Sequence, residues 1–159
     1  MRSFHIPLLA MLAAVVTIRA ATPLTTTMVV GHSMEPTLRP GQLYVLDRGY
    51  YRAHPLIRGD VVVLRHNGET LIKRVCGLPG DRLRLVRYMD GSGCDLLSEV
   101  VADQLRRSQS VGRLIDARMF SLTVPPGHCF VVGDNTQVSY DSREFGPVPI
   151  SDIIGRAIL

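Results

Sequence analysis

The stretch DVVVLRHNGETLIKRVCGLPGD, residues 60–81, decides the fold. Two apolar-rich runs, Asp60–Leu64 and Leu71–Val75, are each bounded by turn residues, His66-Asn67-Gly68 between them and Leu78-Pro79-Gly80-Asp81 after them. Both runs read as strands. Outward from here the same rhythm recurs. Strands are expected at Thr26–Val30, Leu43–Asp47, Arg82–Arg87, Met119–Thr123 and Cys129–Val132, with turns at Arg39-Pro40-Gly41, Pro125-Pro126-Gly127 and Gly133-Asp134-Asn135. Such spacing predicts a mainly β chain built as a barrel-like or sandwich sheet system. One stretch breaks the rhythm: Leu96, Leu97, Val100, Val101 and Leu105 recur at helical spacing between Asp95 and Arg107, which predicts a short amphipathic helix packed on the sheet. At 159 residues the chain holds one domain with a core of its own, and is short for two.

The N-terminus stands apart. IPLLAMLAAVVTI, residues 6–18, carries no charge, and a helix between Arg2 and Arg19 would be about 24 Å long at 1.5 Å per residue, marginal for crossing a bilayer. The rival reading is a cleaved signal peptide, since the run has the length of its apolar core. A cut after Ala20 or Ala21 would leave Ile18 or Arg19 where a small residue is wanted, so residues 1–20 are read as a retained membrane anchor and 21–159 as the folded domain.

The net charge of +4 comes from arginines scattered along the chain, the pattern of a solvated basic surface rather than a nucleic-acid interface. Attraction to an anionic lipid surface is compatible with it. Cys76, Cys94 and Cys129 lie far apart with no ligand-spaced histidine, so no metal site is expected. Cys76 and Cys129 sit among apolar residues and read as small buried hydrophobes; Cys94, in the loop-like DGSGC, reads as exposed.

Of the 18 basic residues only Lys73 is a lysine. Arginine keeps its proton in a protein, so Lys73 is the one cation besides the histidines able to become a neutral base. Its neighbours Leu71, Ile72, Val75 and Cys76 offer an apolar wall. Desolvation there would disfavour the ammonium and bring its pKa below the ordinary lysine value. Arg74, the next residue on the strand, should point away. A nucleophile for such a base is Ser33, exposed where the chain leaves a strand near Val30 and turns at Pro36. Taken alone, a serine beside a proline turn is a capping residue, and a strand lysine is a solvated one. His32 is nearer in sequence, but adjacent strand-like residues face opposite ways.

Four blocks, GHSMEPTL (31–38), RGDVVVLR (58–65), KRVCGLPGD (73–81) and GDNTQVSYDSREFGPVPISDIIGRA (133–157), resemble in order and spacing the motif blocks of type I signal peptidases. The resemblance implies a membrane-anchored, mainly antiparallel β catalytic domain with a variable insertion, here about residues 85–125. It makes Ser33 the nucleophile and Lys73 the general base, with Ser139 hydrogen-bonded to the lysine amine. Asp134 would pair with Arg74 and Asp141 with Arg143 as structural braces. Val29, Val30, Met34, Leu38, Leu71 and Ile72 match positions lining the family's substrate groove. The oxyanion would be held by the backbone N–H of Ser33, helped by that of Gly31, which stands where some relatives carry a serine donor. His66 matches no catalytic position, and a lysine at 73 argues against the endoplasmic-reticulum branch, which uses histidine.

The reaction implied is cleavage of signal peptides from exported preproteins after small residues, in the Ala-X-Ala manner, with no cofactor. The expected setting is a bacterial cytoplasmic membrane with the catalytic domain on its outer side; a mitochondrial inner membrane is the alternative. Two other readings compete. A self-cleaving repressor-type Ser/Lys protease would need a DNA-binding domain, whereas this N-terminus is apolar. A catalytically silent, membrane-anchored binding protein would keep the fold without the reaction.

Overall fold

The computed structural model describes residues 23–88, 94–97 and 117–159. Among these, ten strands form two sheets: β1 (Leu24–Met28), β2 (Leu43–Asp47), β3 (Val61–His66), β4 (Glu69–Gly77), β5 (Arg82–Tyr88), β6 (Cys94–Leu97), β7 (Ala117–Thr123), β8 (His128–Val132), β9 (Val148–Pro149) and β10 (Ile153–Ile158). The larger sheet runs β1-β2-β10-β3-β4-β8-β9 and the smaller β6-β5-β7, every pair antiparallel. Two single-turn helices, α1 (Tyr50–Ala53) and α2 (Ser142–Phe145), lie in the connections. The mainly β chain expected from the turn rhythm is found, and its sheets are antiparallel as the resemblance implies. The anchor expected at residues 1–20 falls outside the described residues, and among the described ones no helix is long and apolar enough to cross a membrane.

The opening stretch folds as a hairpin. Asn67 and Gly68 take φ of 48° and 85°, the left-handed pair that a two-residue turn needs to match the strand twist, and His66 then faces Glu69. β3 is apolar on both faces for a reason. Val61 and Val63 enter a cluster with Val29, Met34, Leu38, Tyr44 and Leu46, while Val62 and Leu64 enter another with Val75, Cys129, Val131 and Val148. A strand buried on both sides reads as a continuous apolar run, not an alternating one. A third cluster of Leu85, Cys94, Val124, Phe130 and Val132 joins the smaller sheet to β8.

Three expectations change. β10, inserted between β2 and β3, is absent from the sequence reading because Gly155 and Ala157 dilute its apolar pattern. Gly155 is needed for space: a Cβ there would collide with the backbone carbonyl of Asp47. The helix expected from Asp95 to Arg107 begins instead as β6, where Leu96 faces Leu85 of β5 and packs into the third cluster; residues 98–116 lie outside the described part. The same pairing carries Cys94 inward opposite Arg87, so this thiol is buried at 5% exposure rather than exposed. All three cysteines are free.

Candidate active site

Ser33 sits in a tight loop between β1 and β2, not on a strand end. Val29 N–H donates to Gln42 O at 2.9 Å and Leu38 N–H to Met34 O at 2.9 Å, closing the loop at both sides. Met34 and Leu38, each fully buried, pin it to the core beneath. Gly31 takes φ of 84°, a conformation that L side chains rarely adopt. His32 turns outward to Glu35, with its Nδ1 3.2 Å from Oε2, and takes no part in the contacts of Ser33. Among the described residues the Ser33 N–H has no hydrogen-bond partner, which leaves it free to donate to an incoming oxygen.

β4 brings the lysine to this loop. Lys73 is 3% exposed, and its Nζ donates to Ser33 Oγ at 2.7 Å. Burial pushes its pKa below the ordinary lysine value; the Asp141 carboxylate works against this and the Arg143 guanidinium with it. With the amine neutral, the same short contact runs the other way, the hydroxyl donating to nitrogen. Strand alternation sends Arg74 to the opposite face, where Nε and a terminal nitrogen grip Asp134 at 2.8 and 2.6 Å and another nitrogen donates to Gly59 O at 2.8 Å. Burial works to raise Asp134, but the bonds from Arg74 and Thr37 outweigh it and hold the carboxyl below its usual range.

The second wall is the loop from Gly133 to α2. Asp141 caps α2 and is fully buried; it accepts from the N–H of Gly133 at 2.9 Å and from Arg143 Nε at 2.9 Å. Burial acts to raise its pKa, yet these bonds bring it below the ordinary value. Arg143 spends its remaining donors on Thr136 O at 2.9 Å, Ser139 O at 3.3 Å and Asp95 Oδ1 at 3.0 Å. Asp95 stands on β6, so the smaller sheet reaches this loop through one arginine. Nothing in the sequence pointed to Asp95, because its partner is 48 residues away.

The hydrogen bond expected from Ser139 to the lysine amine is not formed. The Lys73 amine contacts Ser33 Oγ, while the buried Ser139 Oγ lies toward Asp141 and helps hold that carboxyl below its ordinary value. Gly133 proves more than a turn residue. A Cβ there would collide with Ser139 Oγ and come within 2.5 Å of Ser33 O, the carbonyl that also accepts Asn135 N–H at 3.0 Å. Its φ is not in the left-handed region, so the glycine serves space rather than backbone freedom.

Beside Ser33 and Lys73 opens a cavity of about 250 Å³. Val29, Val30, Leu71 and Ile72 line it, with Val30 84% exposed at its rim. Met34 and Leu38 do not: their side chains point down into the core cluster, so the groove assignment made from sequence is corrected for these two. Thr27, Tyr44, Val63 and Thr70 line it as well, none of them anticipated. His66 stacks on Phe145 at 4.1 Å. Among the described residues no group of His, Cys, Asp or Glu side chains could hold a metal ion.

A serine hydroxyl in contact with a buried lysine of depressed pKa, beside an apolar cleft, has the parts of a nucleophile, a base and a binding site. The chain is similar to known proteins. A model of the family "Signal peptidase, peptidase S26" matches residues 2–159. A signal peptidase I of Bacillus caldolyticus is 38% identical over 138 residues, 81% of this chain and 74% of that protein. Signal peptidase IB of Staphylococcus aureus is 33% identical over 136 residues, 79% of this chain and 71% of that one. A crystal structure of a signal peptidase I from Enterococcus faecalis aligns with a TM-score of 0.42 at 29% identity, over 65% of this chain and 97% of that chain. The chain therefore belongs to the signal peptidase family, peptidase S26.

Proposed function

We propose that this protein is a serine endopeptidase that cleaves signal peptides from preproteins, with Ser33 as nucleophile and Lys73 as general base. The observation that carries the reading is the 2.7 Å contact between the two side chains with the lysine 3% exposed. The membership in the signal peptidase family and the relatives named signal peptidase I support the substrate class.

The mechanism follows from the charges. Neutral Lys73 takes the proton of Ser33 Oγ as the oxygen attacks the carbonyl carbon of the scissile bond. The resulting oxyanion accepts from the Ser33 N–H, with that of Gly31 as the second donor; a lost donor costs about 3–4 kcal/mol in comparable sites. The ammonium formed on Lys73 then protonates the departing amine, which leaves an ester on Ser33. Lys73, neutral again, takes a proton from water as its oxygen attacks the ester, and collapse returns the proton to Ser33. Ser139, whose Oγ is buried against Gly133, orients the amine through the steps in which it carries the extra proton. The Arg74–Asp134 and Arg143–Asp141 pairs brace the strand and the loop that hold these groups.

Residues 1–20 serve in this reading as the membrane anchor of the catalytic domain 21–159, with about 85–125 as its variable insertion, in a bacterial cytoplasmic membrane with the domain on the outer side. Only thirteen residues separate Arg19 from Ser33, so the cleft stays close to the bilayer that tethers the substrate. The test is incubation of the full chain in detergent with a preprotein bearing an Ala-X-Ala site, followed by N-terminal sequencing of the product. Cleavage after the second alanine is expected; an intact preprotein, or a cut elsewhere, overturns the reading.

A further inference from the structure

In the endopeptidase reading, on which this inference rests, the smaller sheet has a part in the reaction as well. Its strand β6 lies outside the four sequence blocks that carry the site. Cys94 and Leu96 of β6 pack in one cluster with Leu85, Phe130 and Val132, which seats the strand against β8. Asp95, between them, faces the other way and meets Arg143 Nη1 at 3.0 Å. The carboxylate is 46% exposed, so water screens the attraction between the two charges; Arg143 is 4% exposed, so its orientation is set by what it touches. A guanidinium is a flat, rigid fork. Asp141 Oδ1 holds its Nε at 2.9 Å and Asp95 holds Nη1, and with those two corners fixed Nη2 is aimed at the carbonyls of Thr136 and Ser139, at 2.9 and 3.3 Å. From Ser139 the hydrogen bonds continue residue by residue to the nucleophile. Ser139 N–H donates to Asn135 O at 3.1 Å, and Asn135 N–H donates to Ser33 O at 3.0 Å.

We propose that Asp95 is a positioning residue for the reaction: by fixing the plane of the Arg143 guanidinium it holds the loop of residues 133–139 against the backbone of Ser33, which makes the smaller sheet part of the catalytic unit. Without the carboxylate, Nη1 loses its acceptor in a side chain that is almost wholly buried, so the guanidinium turns toward water and draws Nη2 away from the loop carbonyls. Ser33 is tied to that loop through its own carbonyl, and a nucleophile displaced by a fraction of an ångström loses rate. Binding should be spared, because neither Asp95, Arg143 nor Asn135 lines the cavity beside the dyad.

The experiment measures kcat and KM separately for the full chain in detergent, on a preprotein bearing an Ala-X-Ala site, for wild type, Asp95→Ala and Asp95→Asn. Asparagine keeps an acceptor oxygen of the same reach and gives up the charge. In Asp95→Ala kcat is expected to fall about tenfold, the worth of one hydrogen bond to a charged group, while KM stays within about twofold of wild type. Asp95→Asn should recover most of the lost kcat, which a role resting on the charge alone would not allow. An Asp95→Ala enzyme with the kcat of wild type, a loss carried by KM, or a loss that asparagine leaves unrepaired overturns the proposal and leaves the endopeptidase reading standing. Failure of the wild type itself to cut overturns that reading, and the role of Asp95 with it.

Discussion

Lys73 Nζ lies 2.7 Å from Ser33 Oγ across forty residues of sequence, and the lysine that makes this contact is 3% exposed. A buried ammonium is a cost to the fold, so the arrangement holds its base at the expense of stability. The linkage has a definite sign. Folding depresses the lysine pKa, so between that lowered value and the unfolded value of about 10.4 the unfolded chain binds more protons and stability rises with pH. Below the folded pKa both states are protonated and this contribution is lost. Replacing Lys73 by Met, which has similar reach and no charge, should abolish cleavage and raise the melting temperature at neutral pH. Calorimetry on both proteins checks it; a lower melting temperature in Lys73→Met refutes the claim that desolvation of this amine strains the fold.

Removing the carboxylate of Asp141 should be severe. Arg143 is 4% exposed and keeps its charge, so Asp141→Ala leaves a buried guanidinium without its main partner, a loss of about 3–5 kcal/mol. The carboxyls of Asp134 and Asp141 both titrate below their ordinary range, so their contribution is complete above the unfolded carboxylate pKa and fades as pH falls through the lowered values. Acid titration of stability should therefore be shallower in Asp141→Asn than in wild type. Equal slopes would mean that the carboxyl is not held ionised by its neighbours.

Gly133→Ala should disable the enzyme more than it unfolds it. The added methyl meets the Ser139 side chain and the Ser33 carbonyl, so it displaces the nucleophile loop, at a cost of about 1–3 kcal/mol in stability. A shift of about 1 Å in a reacting group costs on the order of a hundredfold in rate. Measured kcat, alongside the denaturation midpoint, separates the two effects. Unaltered kcat would show that the loop accommodates the methyl.

Ser139→Ala offers the opposite split. The hydroxyl makes no hydrogen bond to Lys73 in the resting protein and adds only a weak interaction with Asp141, so its removal should change the melting temperature little. If the hydroxyl orients the lysine when it carries the extra proton, kcat should still fall about tenfold, within the range typical of a group that assists proton transfer. Full activity in this variant would remove Ser139 from the mechanism.

Much of this was readable in the chain. Residues 60–81 announce a hairpin because Asn67-Gly68 permits one kind of turn and the flanking runs are apolar, and the lone lysine stands out among arginines. β10 was not readable. Its Gly155 and Ala157 are small because Asp47 of the neighbouring strand crowds the backbone there, and that crowding is visible only once β2 and β10 are paired. Groove and core could not be told apart either. Val29 and Met34 are both apolar and five residues apart, yet one lines the cavity and the other props the loop from beneath. Asp95 and Gly133 act through contacts with residues distant in sequence, and neither residue type carries a local signal of that role.

The most direct test of the central claim is the rate of preprotein cleavage as a function of pH for wild type and Lys73→Arg. An amine of depressed pKa acting as base predicts wild-type activity that rises with pH through that pKa, and none at any pH in the arginine variant, whose guanidinium keeps its proton. Cleavage by Lys73→Arg at a rate near that of wild type would contradict it.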